Sequence, residues 1–185
     1  MNARADTDRG NVLLQIARAA IASHFGLWFE CRDDANFLYE QRASFVTLTR
    51  SGRLRGCIGS LQAHRTLIDD VRANAQAAAF RDPRFQPLTA TEYSETAIEV
   101  SLLSPLTVMN VQDEQDALAQ LQPGTDGIVL QCGSKRGTFL PQVWDSLPEP
   151  RRFLEELKLK AGLSMQFWSD DVRLFRYHVD KWTEK

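Results

Sequence analysis

The sequence predicts an α+β fold with two lobes, in which mainly antiparallel sheets are flanked by helices. Segments that alternate apolar and polar residues stand beside segments with helical spacing, and paired strands are separated by tight-turn residues. The order strand, strand, helix, strand occurs twice, which predicts an internal duplication of a ββαβ unit. Nothing in this order indicates the parallel sheet of a nucleotide-binding protein.

The first half begins with a helix and a hairpin. Apolar residues recur at helical spacing from Val12 to Ala20, and Gly26 is suited to the end of that helix. Residues 44–49 are aromatic and β-branched, and a Ser-Gly turn separates them from an extended segment at residues 53–58. These two segments therefore form the predicted hairpin.

A second helix and a third strand complete the first ββαβ unit, at residues 44–103. Thr66 stands three residues before Asp69 in a capping-box arrangement. The helix must end by Asp82, because Pro83 disfavours helical geometry in the residue before it. Residues 96–103 then alternate apolar and polar side chains, as a strand does.

The same order returns at residues 127–180. Residues 127–132 and 136–140 form a predicted hairpin, a helix begins at about Arg152 and stops at Gly162, and a strand covers residues 172–179. An Arg-Gly pair occurs in both hairpins, at residues 55–56 and 136–137. We expect the two pairs to lie at comparable points of the two units.

We interpret residues 1–185 as a single domain with two sub-lobes. The sub-lobes are residues 1–103 and 127–185, and residues 104–126 link them. The linking segment begins and ends with turn residues and carries a short helix around residues 113–121.

The composition favours a soluble, cytoplasmic protein with no membrane partner. The formal net charge is -2, and the first ten residues lack the apolar core of a signal peptide. No apolar stretch approaches the roughly 20 residues that span a bilayer. The three cysteines, Cys31, Cys57 and Cys132, are too few and too scattered for a disulfide scaffold, which fits a reducing compartment.

Positive charge is concentrated in residues 50–84. This stretch carries seven arginines against three acids, an excess of four positive charges, which leaves minus six on the rest of the chain. If these arginines form one surface, we expect it to bind an anionic small molecule or RNA, more weakly as salt rises. The seven are Arg50, Arg53, Arg55, Arg65, Arg72, Arg81 and Arg84.

The extended segment at residues 53–60 carries the strongest candidate for chemistry. Its period of two places Arg53, Arg55 and Cys57 on one side and Leu54 and Ile58 on the core side. A cationic neighbour favours thiolate over thiol, which makes Cys57 a candidate nucleophile or ligand. The alternative is a buried cysteine that packs as a small apolar side chain.

Glycines in the same segment give a ligand close access to the backbone. Further along, Arg81 and Arg84 flank a rigid Asp-Pro turn and could present guanidinium groups to a carboxylate or phosphate. Alternatively, Arg81 caps the end of its helix and Asp82 starts a turn. The candidate ligand-binding residues are Arg53, Arg55, Gly56, Ile58, Gly59, Ser60, Arg81, Asp82 and Arg84.

Glu99 is the second candidate catalytic residue. A carboxylate within a predicted strand is unusual unless it is paired or faces a cleft, so Glu99 is a candidate proton acceptor for Cys57. The solvent side of an antiparallel sheet explains it equally well.

Several common sites have no support in the sequence. Cys57 and His64 are the nearest approach to a metal site, but no Cys-x-x-Cys or His-Glu-x-x-His spacing occurs, so we expect no metal. Phosphate-binding loops and the Gly-x-Ser-x-Gly elbow are absent too. We therefore expect no cofactor.

The hexapeptide from Leu54 to Gly59 resembles the signature of the AMMECR domain family, which includes AmmeMemoRadiSam system protein A. Further matches lie in order along most of the chain, at residues 82–85, 98–101, 103–105, 127–130, 136–144 and 157–163. The resemblance implies a two-lobed α+β protein with its functional site at the hexapeptide. It also implies a Memo-like protein and a radical SAM protein as partners, and it names no settled activity.

Two functions remain open at this point. In one, the protein is an accessory or ligand-binding component that uses residues 55–59. In the other, it is an enzyme in which Cys57 is nucleophile or ligand, Arg55 holds an anionic substrate and Glu99 accepts a proton.

Overall fold

The computed structural model describes residues 3–184, so Met1, Asn2 and Lys185, at the ends of the predicted domain, lie outside the described part. The helices of this part are α1 (Ala3–His24), α2 (Leu67–Phe80), α3 (Ala90–Glu95), α4 (Glu114–Gln120) and α5 (Pro150–Lys160). Short 3-10 helices lie at Asn36–Tyr39 and Pro141–Asp145. The strands are β1 (Ser44–Arg50), β2 (Arg53–Gly59), β3 (Thr96–Leu103), β4 (Thr107–Met109), β5 (Gly127–Cys132), β6 (Lys135–Phe139), β7 (Arg173–Tyr177) and β8 (Val179–Thr183).

The strands form two four-stranded antiparallel sheets, with the orders β2-β1-β3-β8 and β4-β7-β5-β6. Helices together with antiparallel sheets confirm the α+β class that the sequence predicts. The chain divides into two compact units, one up to Leu103 with the residues from Asp180, and one from Ser104 to Val179. The segment at residues 104–126, which we expected to link two lobes, supplies β4 and the predicted short helix, α4, to the second unit.

In the first unit, the helices cover one face of the sheet. Val46 and Leu48 of β1 and Ile98 and Val100 of β3 are fully buried in one apolar cluster with residues of α1 and α2. Since side chains alternate along a strand, the residues between them, such as Thr47, lie on the opposite face. That second face is only half-buried in β1.

The predicted limits of α2 agree with the structure. The Thr66 side chain accepts a hydrogen bond from the backbone N–H of Asp69, which is the N-cap half of the predicted capping box. At the other end, the Arg81 N–H donates to the Ala77 carbonyl and the helix stops before Asp82.

A buried carboxylate joins α2 to the ends of β1 and β2. Asp70 of α2 is fully buried and accepts hydrogen bonds from the backbone N–H and hydroxyl of Ser44, at 2.8 and 2.7 Å. It also accepts from Ser60, Asn74 and Arg65, at 2.7 to 2.9 Å. Because the donors come from β1, from the segment after β2 and from α2 itself, this cluster holds the far end of β2 in place.

The second unit has the same local strand order, since β6, β5 and β7 follow one another in its sheet as β2, β1 and β3 do in the first. Gly56 pairs with Leu48, and Gly137 pairs with Leu130. A methyl group on Gly56 would meet the Ala78 carbonyl of α2, and one on Gly137 would meet Ala161, the residue that ends α5. The internal duplication itself stays a prediction.

Three features differ from the expectations. A bulge in β2 leaves Arg55 without a partner between Gly56 and Leu54, and Leu54, expected in the core, is 45% exposed. The strand expected at residues 172–179 is two strands. Between them, the His178 carbonyl accepts from the Ser104 N–H and the His178 N–H donates to the Ser104 hydroxyl, and β8 joins the first sheet. Helix α3 was not predicted.

Candidate functional site

The candidate site lies on β2, an edge strand of the first sheet. Cys57 pairs with Thr47 across β1, and the neighbouring pairs are Ile58 with Val46 and Gly56 with Leu48. On an edge strand, the outward backbone groups lack a strand partner. The site is therefore defined by what meets the outer edge of β2 and by what lies on the half-buried face of the sheet.

An aspartate and an arginine take the place of a neighbouring strand beside Cys57. The Cys57 N–H donates to the Asp82 carboxylate at 2.8 Å, and the Arg84 guanidinium donates to the Cys57 carbonyl at 3.2 Å. Arg84 also binds Asp82 with two nitrogens, at 3.0 and 2.7 Å. We call Asp82 and Arg84 the edge clamp. It joins the two motifs of the sequence, residues 54–59 and 82–85, into one structure.

The electrostatics of the edge clamp favour the ionised pair. The hydrogen bonds from Arg84, with those from the backbone of Cys57 and Arg84, hold the pKa of the buried Asp82 carboxyl far below its usual range. The hydrogen bonds with Asp82 raise the pKa of Arg84, and the nearby Cys57 adds to this. Arg84, and not Arg55 as expected, is thus the cation beside Cys57.

A row of polar side chains crosses the half-buried face at Cys57. Thr47 is the register partner of both Cys57 in β2 and Glu99 in β3. The Thr47 hydroxyl donates to the Cys57 sulfur at 3.3 Å, and Glu99 accepts from Thr183 of β8 at 3.2 Å. We call Cys57, Thr47 and Glu99 the polar row. The sequence did not single out Thr47, although its place between Val46 and Leu48 in an alternating strand signals this face.

The spacing of the polar row limits its chemistry. Neighbouring strands lie about 4.8 Å apart, so the backbones of Cys57 and Glu99 are on the order of 10 Å apart, with Thr47 between them. Direct proton transfer between the two side chains therefore requires Thr47 or a water molecule as a bridge.

The second sheet has no such row at the matching pairs. Thr138 of β6 pairs with Val129 of β5, which pairs with Phe175 of β7. These residues stand one position from Leu130 and Gly137, as the polar row stands one position from Leu48 and Gly56. A sheet with this local strand order can therefore form without a thiol, a hydroxyl and a carboxylate at these three positions.

Arg55 is paired away from Cys57. Its guanidinium binds the Glu92 carboxylate at 3.1 and 3.0 Å and donates to the Gln86 carbonyl at 2.9 Å. These hydrogen bonds, with those from Thr89, lower the pKa of Glu92 to about 2. Glu92 was missed, although Thr89 and Glu92 have the spacing of a capping box, which they form at the start of α3.

The expected contiguous cationic surface is not supported. Among the described residues, five of the seven arginines are within ion-pair distance of an acid: Arg50 with Glu92 and Glu95, Arg55 with Glu92, Arg65 with Asp70, Arg72 with Asp33, and Arg84 with Asp82. Arg53 and Arg81 are exposed, and no such acid is found for them in residues 3–184. The count of charges in residues 50–84 did not reveal these pairs, because acids outside that stretch, such as Glu92, meet the arginines only in the folded chain.

The other predicted ligand-binding residues have packing roles. A Cβ on Gly59 would meet the Phe45 ring, as one on Gly56 would meet α2. Both glycines are therefore needed for close packing within the protein, and on those sides they leave no room for a ligand. Ile58 packs against the apolar core, and Ser60 binds Asp70. His64 is exposed and bonds to the Gln62 carbonyl.

In residues 3–184, no group of three or more histidine, cysteine or acidic side chains has the arrangement to hold a metal ion. Over the same residues, no helix is both long enough and apolar enough to cross a membrane.

Known proteins resemble this chain over nearly its whole length. A model of the AMMECR1 family matches residues 14–182. A protein of Methanothermobacter thermautotrophicus is 36% identical over 181 residues, covering 93% of this chain and 92% of its own. A protein of Saccharolobus islandicus is 38% identical over 184 residues, covering 91% of this chain and 78% of its own. The crystal structure of an uncharacterized protein from Pyrococcus horikoshii is similar, with a TM-score of 0.75, 30% identity and coverage of 95% of this chain and 91% of that one.

Proposed function

The chain belongs to the AMMECR1 family, and from this we propose that it is an accessory component that binds its partner through β2, at residues 55–59. The partners we propose are a Memo-like protein and a radical SAM protein. The observation that carries the proposal is the polar row beside the edge clamp, on a sheet face where the second unit has Thr138, Val129 and Phe175. Residues that folding does not require at a position are candidates for binding.

The ion pairs favour binding over catalysis on an anionic substrate. Arg55 is paired with Glu92 and Arg84 with Asp82, so an anionic ligand would have to compete with a carboxylate for either guanidinium. Releasing either one would leave a buried or half-buried carboxylate without its partner, which is costly. This weakens the expectation of an anionic small molecule or RNA.

Exposed leucines favour a protein partner. Leu54 within β2 is 45% exposed, and Leu61, two residues beyond the end of β2, is 42% exposed. Apolar side chains beside fixed polar groups are typical of protein interfaces. A rigid edge strand with both kinds of group suits a docking role.

The second candidate function is an enzyme in which Cys57 is the nucleophile. It is favoured by the Thr47 hydroxyl, which donates to the sulfur, and by Arg84 nearby. A hydroxyl donor and a cation near the sulfur are features of nucleophilic cysteines. Glu99 would then act only through Thr47 or a water molecule.

Alkylation of the native protein distinguishes the two functions. If β2 is a docking strand, Cys57 should react with iodoacetamide at neutral pH no faster than Cys31 and Cys132, which are likewise half-buried. Peptide mass spectrometry after timed quenching measures all three rates in one sample. A rate at Cys57 about tenfold or more above the other two would support the nucleophile and contradict the docking role.

A further inference from the structure

The first unit contains a groove that no residue of β2 lines. Its volume is about 820 Å³, within the range of small-molecule sites. Residues of α1, namely Asn11, Leu14 and Gln15, line the groove together with Phe29. The start of β3 and the end of β8 also line it.

The charged groups of the groove are already paired within the protein. Arg18 forms an ion pair with Glu184 and donates to the Thr96 carbonyl at 2.7 Å. The Glu184 carboxylate also accepts from the Ile98 N–H at 2.9 Å. Glu95 is held by Arg50 at 2.6 Å. An ionic ligand would have to break one of these pairs, so the groove suits an uncharged ligand.

The remaining polar side chains on α1 are two carboxamides. Asn11 and Gln15 are one helical turn apart and therefore lie on the same side of α1. Among the side chains of residues 8–184, neither carboxamide has a hydrogen-bond partner. Each carboxamide offers a donor and an acceptor side by side, the pattern that reads the edge of a nucleobase, adenine above all.

The Phe29 ring supplies a flat apolar surface to the groove. Phe29 is 43% exposed, and the buried Leu14 and the half-buried Ala97 also line the groove. Aromatic side chains bind nucleobases by stacking on their faces, whatever the base.

We propose that this groove binds an uncharged nucleoside, with the base against Phe29 and its polar edge on the carboxamides of Asn11 and Gln15. The proposal goes beyond the docking role of β2, since neither the polar row nor the edge clamp lines the groove. The paired state of Arg18 predicts that a phosphate on the nucleoside adds no affinity.

Titration of the whole chain with adenosine, followed by two-dimensional NMR, tests this site. Adenosine should shift backbone resonances around Asn11, Gln15, Phe29 and Thr96, and AMP should bind no more tightly. Gln15→Met keeps the length and helical preference of the side chain but removes its amide. Gln15→Met and Phe29→Ala should each raise the Kd about tenfold or more.

Trp28→Ala is the matched control, because Trp28 is 84% exposed beside Phe29 but does not line the groove. It should leave the Kd unchanged, and thermal unfolding should show that all variants remain folded. No shifts with millimolar adenosine, guanosine, cytidine or uridine would overturn the proposal. A rise in the Kd of Trp28→Ala as large as in the groove variants would overturn it as well. So would shifts that a neutral peptide causes and no nucleoside causes.

Discussion

At the scale of single residues, β2 departs from the regular alternation of a strand at one position. Leu54 and Arg55 do not follow the period of two, because the bulge at Arg55 shifts the register. Nothing in the local pattern reveals a bulge, which depends on pairing with β1. Cys57 was found from the sequence, whereas its partners Thr47 and Arg84 are set by the register of β1 and by the turn after α2.

Gly56 provides a test at this scale. Gly56→Ala should lower the free energy of unfolding by about 1 to 3 kcal/mol, because the added methyl group overpacks the contact between β2 and α2. The ideal Cβ would lie 2.2 Å from the Ala78 carbonyl oxygen. Urea denaturation measures the change. Arg53→Ala, at an exposed position of the same strand, is the control and should change stability by less than about 0.5 kcal/mol. An unchanged free energy of unfolding in Gly56→Ala would contradict this packing.

At the scale of elements, periodicity and caps predicted most of the helices and strands. The N-cap residue Thr66 and the Asp-Pro turn set the limits of α2 correctly. Helix α3 was missed because its six residues are too few for a periodic pattern, although its own capping box is visible in the sequence. The division between β7 and β8 could not be predicted, because it depends on the contact of Ser104 with His178.

The contact between β2 and α3 predicts a pH dependence of stability. The pKa of Glu92 is lowered to about 2 by Arg55 and Thr89. A lowered pKa stabilises the fold fully above the pKa of the unfolded chain, about 4.3 for glutamate, and this stabilisation is lost as the pH falls towards 2. The wild type should therefore be more stable than Glu92→Gln at pH 7, and the difference should shrink below about pH 4.5.

Denaturation curves of both proteins between pH 7 and pH 2.5 measure that difference. Glu30→Gln is the control, because Glu30 is exposed and has no ion-pair partner among the described residues. A difference between wild type and Glu92→Gln that stays constant over this range would show that the ion pair with Arg55 does not stabilise the fold.

At the scale of the whole molecule, the sequence predicted the class, the two hairpins and the chain order strand, strand, helix, strand in each half. It did not predict which further strands pair with each hairpin. Strand β8 closes the first sheet although it is the last strand of the chain, and β4 joins the second. Such long-range pairings leave no periodic signal. The contrast between the polar row and Val129 with Phe175 is visible only once both registers are known.

The affinity of the Memo-like partner for this chain tests the docking function most directly. By isothermal titration calorimetry, Leu54→Glu should weaken binding about tenfold or more, because it places a charge on the exposed apolar surface of β2. Leu159→Glu, at a leucine of α5 that is 44% exposed, should bind like the wild type. Wild-type affinity in Leu54→Glu, or a loss in Leu159→Glu of the same size, would contradict the docking role of β2.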